Sequence, residues 1–284
     1  MARYGMKMAG ALLVFLGLLF TGIAPVSAAP SGNTDLVGND VSWPQCDKTL
    51  PAGQAFAIVG VNGGLANNTN PCLTKQLDWA KSSTGGTSQP LVALYVNTAN
   101  PGHTGSWWPS SNIYPEGSGI EITSGPYGKC NPNGEAVGPV DVACSYMYGY
   151  AKAYDDANKR GVASPGTYLW WLDVETGNSW QTGATNSTAL NRATLEGMAD
   201  YFRSITDGKN GPGVGIYSTG TQWRSIAGTV PSSSSLAGLP SWLAGAKTLR
   251  GAKSNCSLSP LTPGGKVTVS QYVSAGLDYD YSCK

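Results

Sequence analysis

Seven short apolar runs, each closed off by Gly, Pro or Asn, constrain the fold of this chain more than any other feature. They are "LVGNDVSW" (36–43), "AFAIVGVN" (55–62), "PLVALYVN" (90–97), "YLWWLDVE" (168–175), "GVGIYST" (213–219), "PSWLAGA" (240–246) and "VTVSQYV" (267–273). Most are hydrophobic almost continuously rather than at alternate positions, the pattern of parallel strands covered on both faces. Amphipathic helical stretches lie between them: 71–83 with Pro71 near its start, 143–161 ending in Lys-Arg-Gly, 187–208 opening on Ser187-Thr188, and the shorter 219–228. Strand–helix alternation predicts an α/β protein with a largely parallel sheet. Seven or eight strands in about 250 residues fit a (β/α) TIM-like barrel better than an open sheet. Residues 229–284 read as short strands with irregular links, so the last third of the barrel is expected to be irregular.

The first 29 residues stand apart from this pattern. Arg3 and Lys7 precede a continuous apolar run, and "VSAAP" offers a small-residue cleavage site after Ala28 or Ala29. This is the layout of a secretory signal peptide rather than a membrane anchor, leaving 30–284 as a single barrel domain, exported and free of the membrane. Six cysteines (Cys46, Cys72, Cys130, Cys144, Cys256 and Cys283) follow it. An even count in an exported chain reads as three disulfides, and sequence order favours the neighbours 46–72, 130–144 and 256–283. None has the C-x-x-C spacing of a zinc or redox site. With only 12% charged residues and no basic cluster, nothing points to nucleic acid as a partner. The one histidine, His103, sits in the loop composition "NPGHTG" and reads as solvated, so neither a metal nor another cofactor is expected. The expected state is a monomer.

Residues 98–142 are too long and too rich in Gly, Pro and Ser for an ordinary connection. The Cys130–Cys144 bridge and the Trp107-Trp108 pair argue that the segment is ordered. Because it follows a strand, it is expected at the strands' C-terminal ends, where barrel sites are built.

Carboxylates mark the ends of several strands. Residues i and i+2 of a strand face the same side, about 6.6 Å apart, so Asp173 and Glu175 of "LDVE" point together while Val174 points away. Asp40 lies near the end of the first strand, and Asp278 and Asp280 of "GLDYDY" follow the last. These acids approach one another only if the sheet curls into a barrel. Crowded carboxyls in a partly apolar setting raise one another's pKa, so that one holds a proton while another is ionised. Glycosidic-bond cleavage needs that division; a purely structural network at the barrel end is the other reading of the same acids. Trp43, Tyr95, Trp107, Trp108 and Trp180 are aromatics near strand ends that could stack on sugars, whereas Trp170 and Trp171, in mid-strand, read as core. "GIYSTG" is no nucleophile elbow, "GVNGG" no dinucleotide fingerprint, and there is no P-loop.

In order along the chain, "DVSWPQ", "LDVE", "GIYST", "WLAGA" and "SQYVSAGLDYD" resemble the motifs of family-25 glycoside hydrolases, the muramidase lysozymes. The likeness spans nearly all of 30–284, and the D-x-E placement is its most specific element. It implies a (β/α) barrel with an irregular last third that hydrolyses β-1,4 bonds of peptidoglycan without a metal. Transferred by motif, Glu175 is the general acid, and Asp173 orients the 2-acetamido group or serves as base. Asp40 and Asp278 complete the acidic cluster, with Asp280 competing for the last place. Beside these acids, Trp43, Tyr95, Trp180, Tyr217 and Gln271 are the residues expected to contact substrate. The chain departs from the family pattern in "VGVNGG", in "LYVNTA", in Ser270 where a Trp is usual, and in the 98–142 insertion. The same pattern also suits an inactive barrel that binds cell-wall glycan.

Overall fold

Eight strands follow one another around a closed barrel, β1 to β8 in chain order. They are β1 (Val37–Val41), β2 (Ala57–Gly60), β3 (Val92–Asn97), β4 (Trp170–Asp173), β5 (Val214–Ser218), β6 (Ser241–Ala246), β7 (Val267–Ser274) and β8 (Leu277–Ser282). The computed structural model describes residues 36–104, 107–123, 125–130, 139–206 and 213–283, which belong to the unit Asp35–Lys284. Segment 1–29, read above as a signal peptide, lies outside the described residues. Among the described residues no helix is long and apolar enough to cross a membrane.

Strands β1 to β7 pair in parallel, as their continuous apolar runs predict. The barrel closes differently. "GLDYDY" is not a tail after the last strand but β8 itself, antiparallel to both β7 and β1. A tight turn at Ala275 and Gly276, both at positive φ, joins β7 to β8 and leaves no room for a crossover helix. The expected irregularity is also present as register shifts between β6 and β7.

Helices α1 (Leu73–Ala80), α2 (Pro139–Asn158), α3 (Ser187–Ile205), α4 (Gly220–Ile226) and α5 (Leu249–Asn255) follow β2 to β6 in turn. The sequence pattern marked the first four. It missed α5, whose "LRGAKSN" carries little apolar periodicity and buries only Ala252.

Alternation along each strand sorts side chains between two cores. Ala57, Val59, Leu94, Val96, Trp170, Leu172, Val214 and Ile216 pack outward with the helices, Trp170 stacking on Phe202 of α3 at 4.4 Å between ring centroids. Ile58, Ala93 and Trp171 turn inward with Trp242, Tyr95 and Tyr217. Gly215 makes the inner packing possible: a Cβ there would lie 2.3 Å from the Trp171 ring. The inward phase that buries Trp171 also aims Asp173, two residues on, toward the mouth.

The long insertion starts at the strand ends, as its place after β3 predicts, with Thr98 donating to the Asp173 carbonyl and the Asn100 N–H to that of Ser179, but its aromatics lie elsewhere. Trp107, Trp108, Tyr114, Tyr127 and Cys130 pack with Tyr146 and Met147 of α2 and Ala193 of α3, outside the barrel. Trp108 stacks on Tyr148, and Tyr114 donates to Asp155 at 2.6 Å. All three disulfides join sequence neighbours: Cys46–Cys72, Cys130–Cys144 and Cys256–Cys283.

Candidate active site

A cavity of about 370 Å³ opens at the C-terminal ends of the strands, lined by Asp40, Trp43, Tyr95, Asn97, Asp173, Glu175, Tyr217, Trp242, Gln271 and Asp278, with Ser42, Pro44, Gln45 and Gly64 at its edge. Eight of the nine residues named as catalytic or substrate-contacting from the sequence meet here. Trp180 does not. Its indole N–H donates to the Glu175 backbone carbonyl at 2.8 Å, which turns the ring into a separate cavity of about 600 Å³. That second cavity is lined by uncharged residues, among them Leu65, Asn67, Thr104, Tyr148 and Asn178. Trp107 and Trp108 are held against α2 and line neither cavity. His103 lies exposed against the Trp108 ring, 5.0 Å between centroids.

Each acid is placed by its own strand. Asp173, the last residue of β4, is 5% exposed, and its Oδ2 accepts from Asn97 Nδ2 at 2.8 Å across the β3–β4 pair. Its Oδ1 is buried and meets no donor. Two residues on, Glu175 is half-buried, while Val174 between them is fully buried in the outer core. On β1, Asp40 is 8% exposed, and its Oδ2 accepts from Gln271 Nε2 at 3.0 Å. Gln271 Oε1 in turn accepts from the Tyr217 hydroxyl at 2.8 Å. Asp278 of β8 stands opposite Asp40 in the strand register. Asp280, the competing candidate, does not line the cavity. It lies deeper on β8, fully buried, accepting from Trp242 Nε1 at 2.8 Å.

Trp43 forms the rim, 49% exposed, on a short turn after β1. Gln45 Oε1 accepts from the Ser42 N–H at 2.9 Å, and the Cys46–Cys72 disulfide ties this turn to the start of α1. Asn97 is also braced from behind. Its N–H donates to Asn62 Oδ1 at 2.8 Å, and Asn62 Nδ2 donates to Asp156, which pairs with Arg160. Sequence reasoning missed Asn97 and Trp242. Asn97 ends β3 as Asp173 ends β4, in register with it, so a search for polar residues at adjacent strand ends would have found it.

Burial dominates the electrostatics. It raises Asp40 to about 7, with Asp278 adding to the rise. It holds Asp173 well above the usual carboxylate range, helped by the negative charge of Glu175 and then of Asp40. Asp278 is raised by burial and partly relieved by Lys48. The Tyr95 and Tyr217 phenols are pushed well up by burial and then by the carboxylates around them, so they remain neutral donors. Among the described residues no group of three or more His, Cys, Asp or Glu is placed to hold a metal ion.

The chain shares its fold with a bacterial lysozyme. The lysozyme from Streptomyces coelicolor superposes with a TM-score of 0.50 over 89% of this chain and 94% of that one, at 16% identity. The muramidase from Acremonium alcalophilum aligns at 16% identity over 87% and 93% of the two chains, with a TM-score of 0.47. The chain matches no protein-family profile and no curated protein.

These raised carboxyls make stability fall as pH rises. A carboxyl with a raised folded-state pKa keeps a proton that the unfolded chain has released. Its contribution is therefore complete below the unfolded value of 3.8 and lost as pH passes the folded value: about 7 for Asp40, and about 6 for Asp156, which burial raises against the pull of Arg160. Between pH 5 and 8 the expected loss from Asp40 alone is about 3 kcal/mol, a drop of roughly 6–12 °C in Tm. Scanning calorimetry across that range checks this; a Tm that climbs with pH contradicts it.

Proposed function

We propose that the protein is a secreted glycoside hydrolase that cleaves β-1,4 bonds of peptidoglycan or a related cell-wall glycan. One observation carries this reading: carboxyls from three separate strands, β1, β4 and β8, converge on one cavity with neutral phenols between them and an exposed tryptophan at its rim. The resemblance of the D-x-E and neighbouring motifs to the muramidase lysozymes supports it, as does the lysozyme-like barrel. Three disulfides and the N-terminal segment fit an exported protein.

In this reading Asp173, held well above the usual carboxylate range by burial and by the neighbouring Glu175, works beside Glu175 at the end of β4. Glu175, the more exposed to the cavity, gives a proton to the leaving oxygen as the C1–O bond breaks. Asp173, fixed by Asn97 and with Oδ1 unpartnered, accepts from the substrate's acetamido N–H or takes the proton of the entering water. Asp40 and Asp278 stabilise the developing positive charge. Trp43 stacks on a sugar at the rim, and Tyr95, Tyr217 and Gln271 hydrogen-bond its hydroxyls. The uncharged second cavity, with Trp180 at its wall, continues the glycan path beyond the Glu175 turn.

The test is release of reducing ends from purified peptidoglycan, with borohydride labelling to identify the new end. N-acetylmuramic acid at that end is the expected result. Protein that pellets with cell walls yet releases no ends across pH 4 to 8 is an inactive glycan-binding barrel.

A further inference from the structure

We propose that Asp280 and Asp40 form an acid–carboxylate pair sharing one proton, and that Asp280 is a positioning residue holding Asp40 toward the cavity. Asp280 sits opposite Gly38 on β1 and Gln271 on β7, one layer below the cavity floor, with no exposure to solvent. Its Oδ1 accepts from Trp242 Nε1. Its Oδ2 is buried and meets no N–H or O–H donor. Asp40 pairs with Asp278 and Gly38 with Asp280 along β1 and β8, so Asp40 and Asp280 are diagonal neighbours on one face of that strand pair, a spacing their side chains can bridge. Asp40 is itself anchored on Oδ2 by Gln271. Each carboxyl is thus held by a fixed N–H donor while it faces the other.

Two bare carboxylates in contact away from water repel strongly, and a buried acceptor without a donor is costly. One proton between them removes both penalties and creates a charge-assisted O–H···O bond. Among the described residues no cation pairs with either carboxyl. The groups facing Asp40 are Asp278 and Asp280 on β8, Asp173 on β4 and the phenols Tyr95 and Tyr217, while Lys48 acts on Asp278. Once Asp40 releases its proton, at about pH 7, the remaining proton rests on Asp280, the fully buried member, leaving Asp40 as the carboxylate next to the cavity. Burial, followed by the charge of Asp40, raises Asp280 well above the carboxylate range, in accord with that placement. Asp280 therefore donates to Asp40 and gives no proton to substrate.

The role in catalysis rests on the glycan-cleaving reading; the shared proton does not, and it is measured without substrate. In the protein labelled with carboxyl-¹³C aspartate, one resonance is expected to keep the shift of a protonated acid at neutral pH and to vanish in Asp280→Asn. That variant keeps an acceptor for Trp242 and a donor for Asp40, so the Asp40 titration should stay where it is. Asp280→Ala, which removes the donor, should move it to higher pH, and the acid limb of the pH–rate profile should move with it. If the Asp280 resonance is that of a carboxylate at pH 6, or if Asp280→Asn lowers the Asp40 midpoint by a unit or more, Asp280 is an ordinary negative charge and the proposal fails. Should the alanine variant not fold, the wild-type and asparagine titrations still decide.

Discussion

Glu175→Gln is expected to reduce the release of reducing ends from peptidoglycan by about 10²–10⁴-fold, the range a positioned acid–base group contributes, while Tm holds or rises slightly. The two halves of this result have separate causes. Glutamine keeps the shape of the side chain but cannot give up a proton to the leaving oxygen. The fold does not need the lost charge, because Glu175 is half-buried at the cavity and its negative charge works against Asp173. Its backbone, which glutamine retains, does the structural work: the Glu175 carbonyl accepts from Trp180 Nε1 and from the Asn178 N–H. A residue whose removal abolishes activity without destabilising the protein is the signature of a site held at some cost to stability. Activity within tenfold of wild type would remove Glu175 from the role of acid. A collapse in Tm would return the carboxylates to the structural reading.

The largest effect on stability is expected from Gly149→Ala or Gly197→Ala, at the crossing of α2 and α3. A Cβ on Gly149 would lie 1.9 Å from the Thr194 carbonyl oxygen, and one on Gly197 would lie 2.0 Å from that of Tyr146. Each glycine thus receives the backbone of the opposite helix, and Thr194 Oγ1 donates to the Ser145 carbonyl at 2.9 Å beside them. In an exposed helix Gly→Ala gains roughly 1 kcal/mol. Here the obstructing atoms are backbone, which no rotamer change can move, so the helices must separate and disrupt the packing around them. The clash wins: about 4 kcal/mol is lost for either alanine, at the upper end of overpacking effects. Tm should fall by roughly 8–16 °C, and a valine at either site should yield little folded protein. An alanine variant as stable as wild type would show that the helices pack less closely than described. The consequence reaches the cavity, because α2 carries Asp156, which braces Asn97 through Asn62, and α3 is the helix that follows β4.

Much of this protein is legible from its sequence, for reasons particular residues make plain. Parallel strands covered on both faces need apolar side chains at nearly every position, so β2, β3, β4 and β5 announce themselves. The two-residue period of a strand places Asp173 and Glu175 together whatever the rest of the chain does. Disulfide partners are close in sequence, and their order is sufficient to pair them. Other features depend on neighbours that no local pattern names. β8 is hidden because Asp278 and Asp280 point into the barrel, where a strand-forming sequence is expected to be apolar. The insertion begins at the strand ends, as its place after β3 implies, but its aromatics are claimed by α2 and α3, which no local pattern shows. Trp180 follows the D-x-E pair closely, yet one hydrogen bond to the Glu175 carbonyl turns it to the next cavity.

The sequence by itself determined the alternating strands and helices, the paired cysteines and the facing of the D-x-E carboxyls, since each follows from local periodicity or chain proximity. Only the tertiary structure decided that β8 closes the barrel, that Asp278 lines the cavity while Asp280 lies beneath it, and that Asn97 anchors Asp173. Strand register sets those depths, and register arises from pairing between segments far apart in the chain, as between Asp40 and Asp278, 238 positions apart.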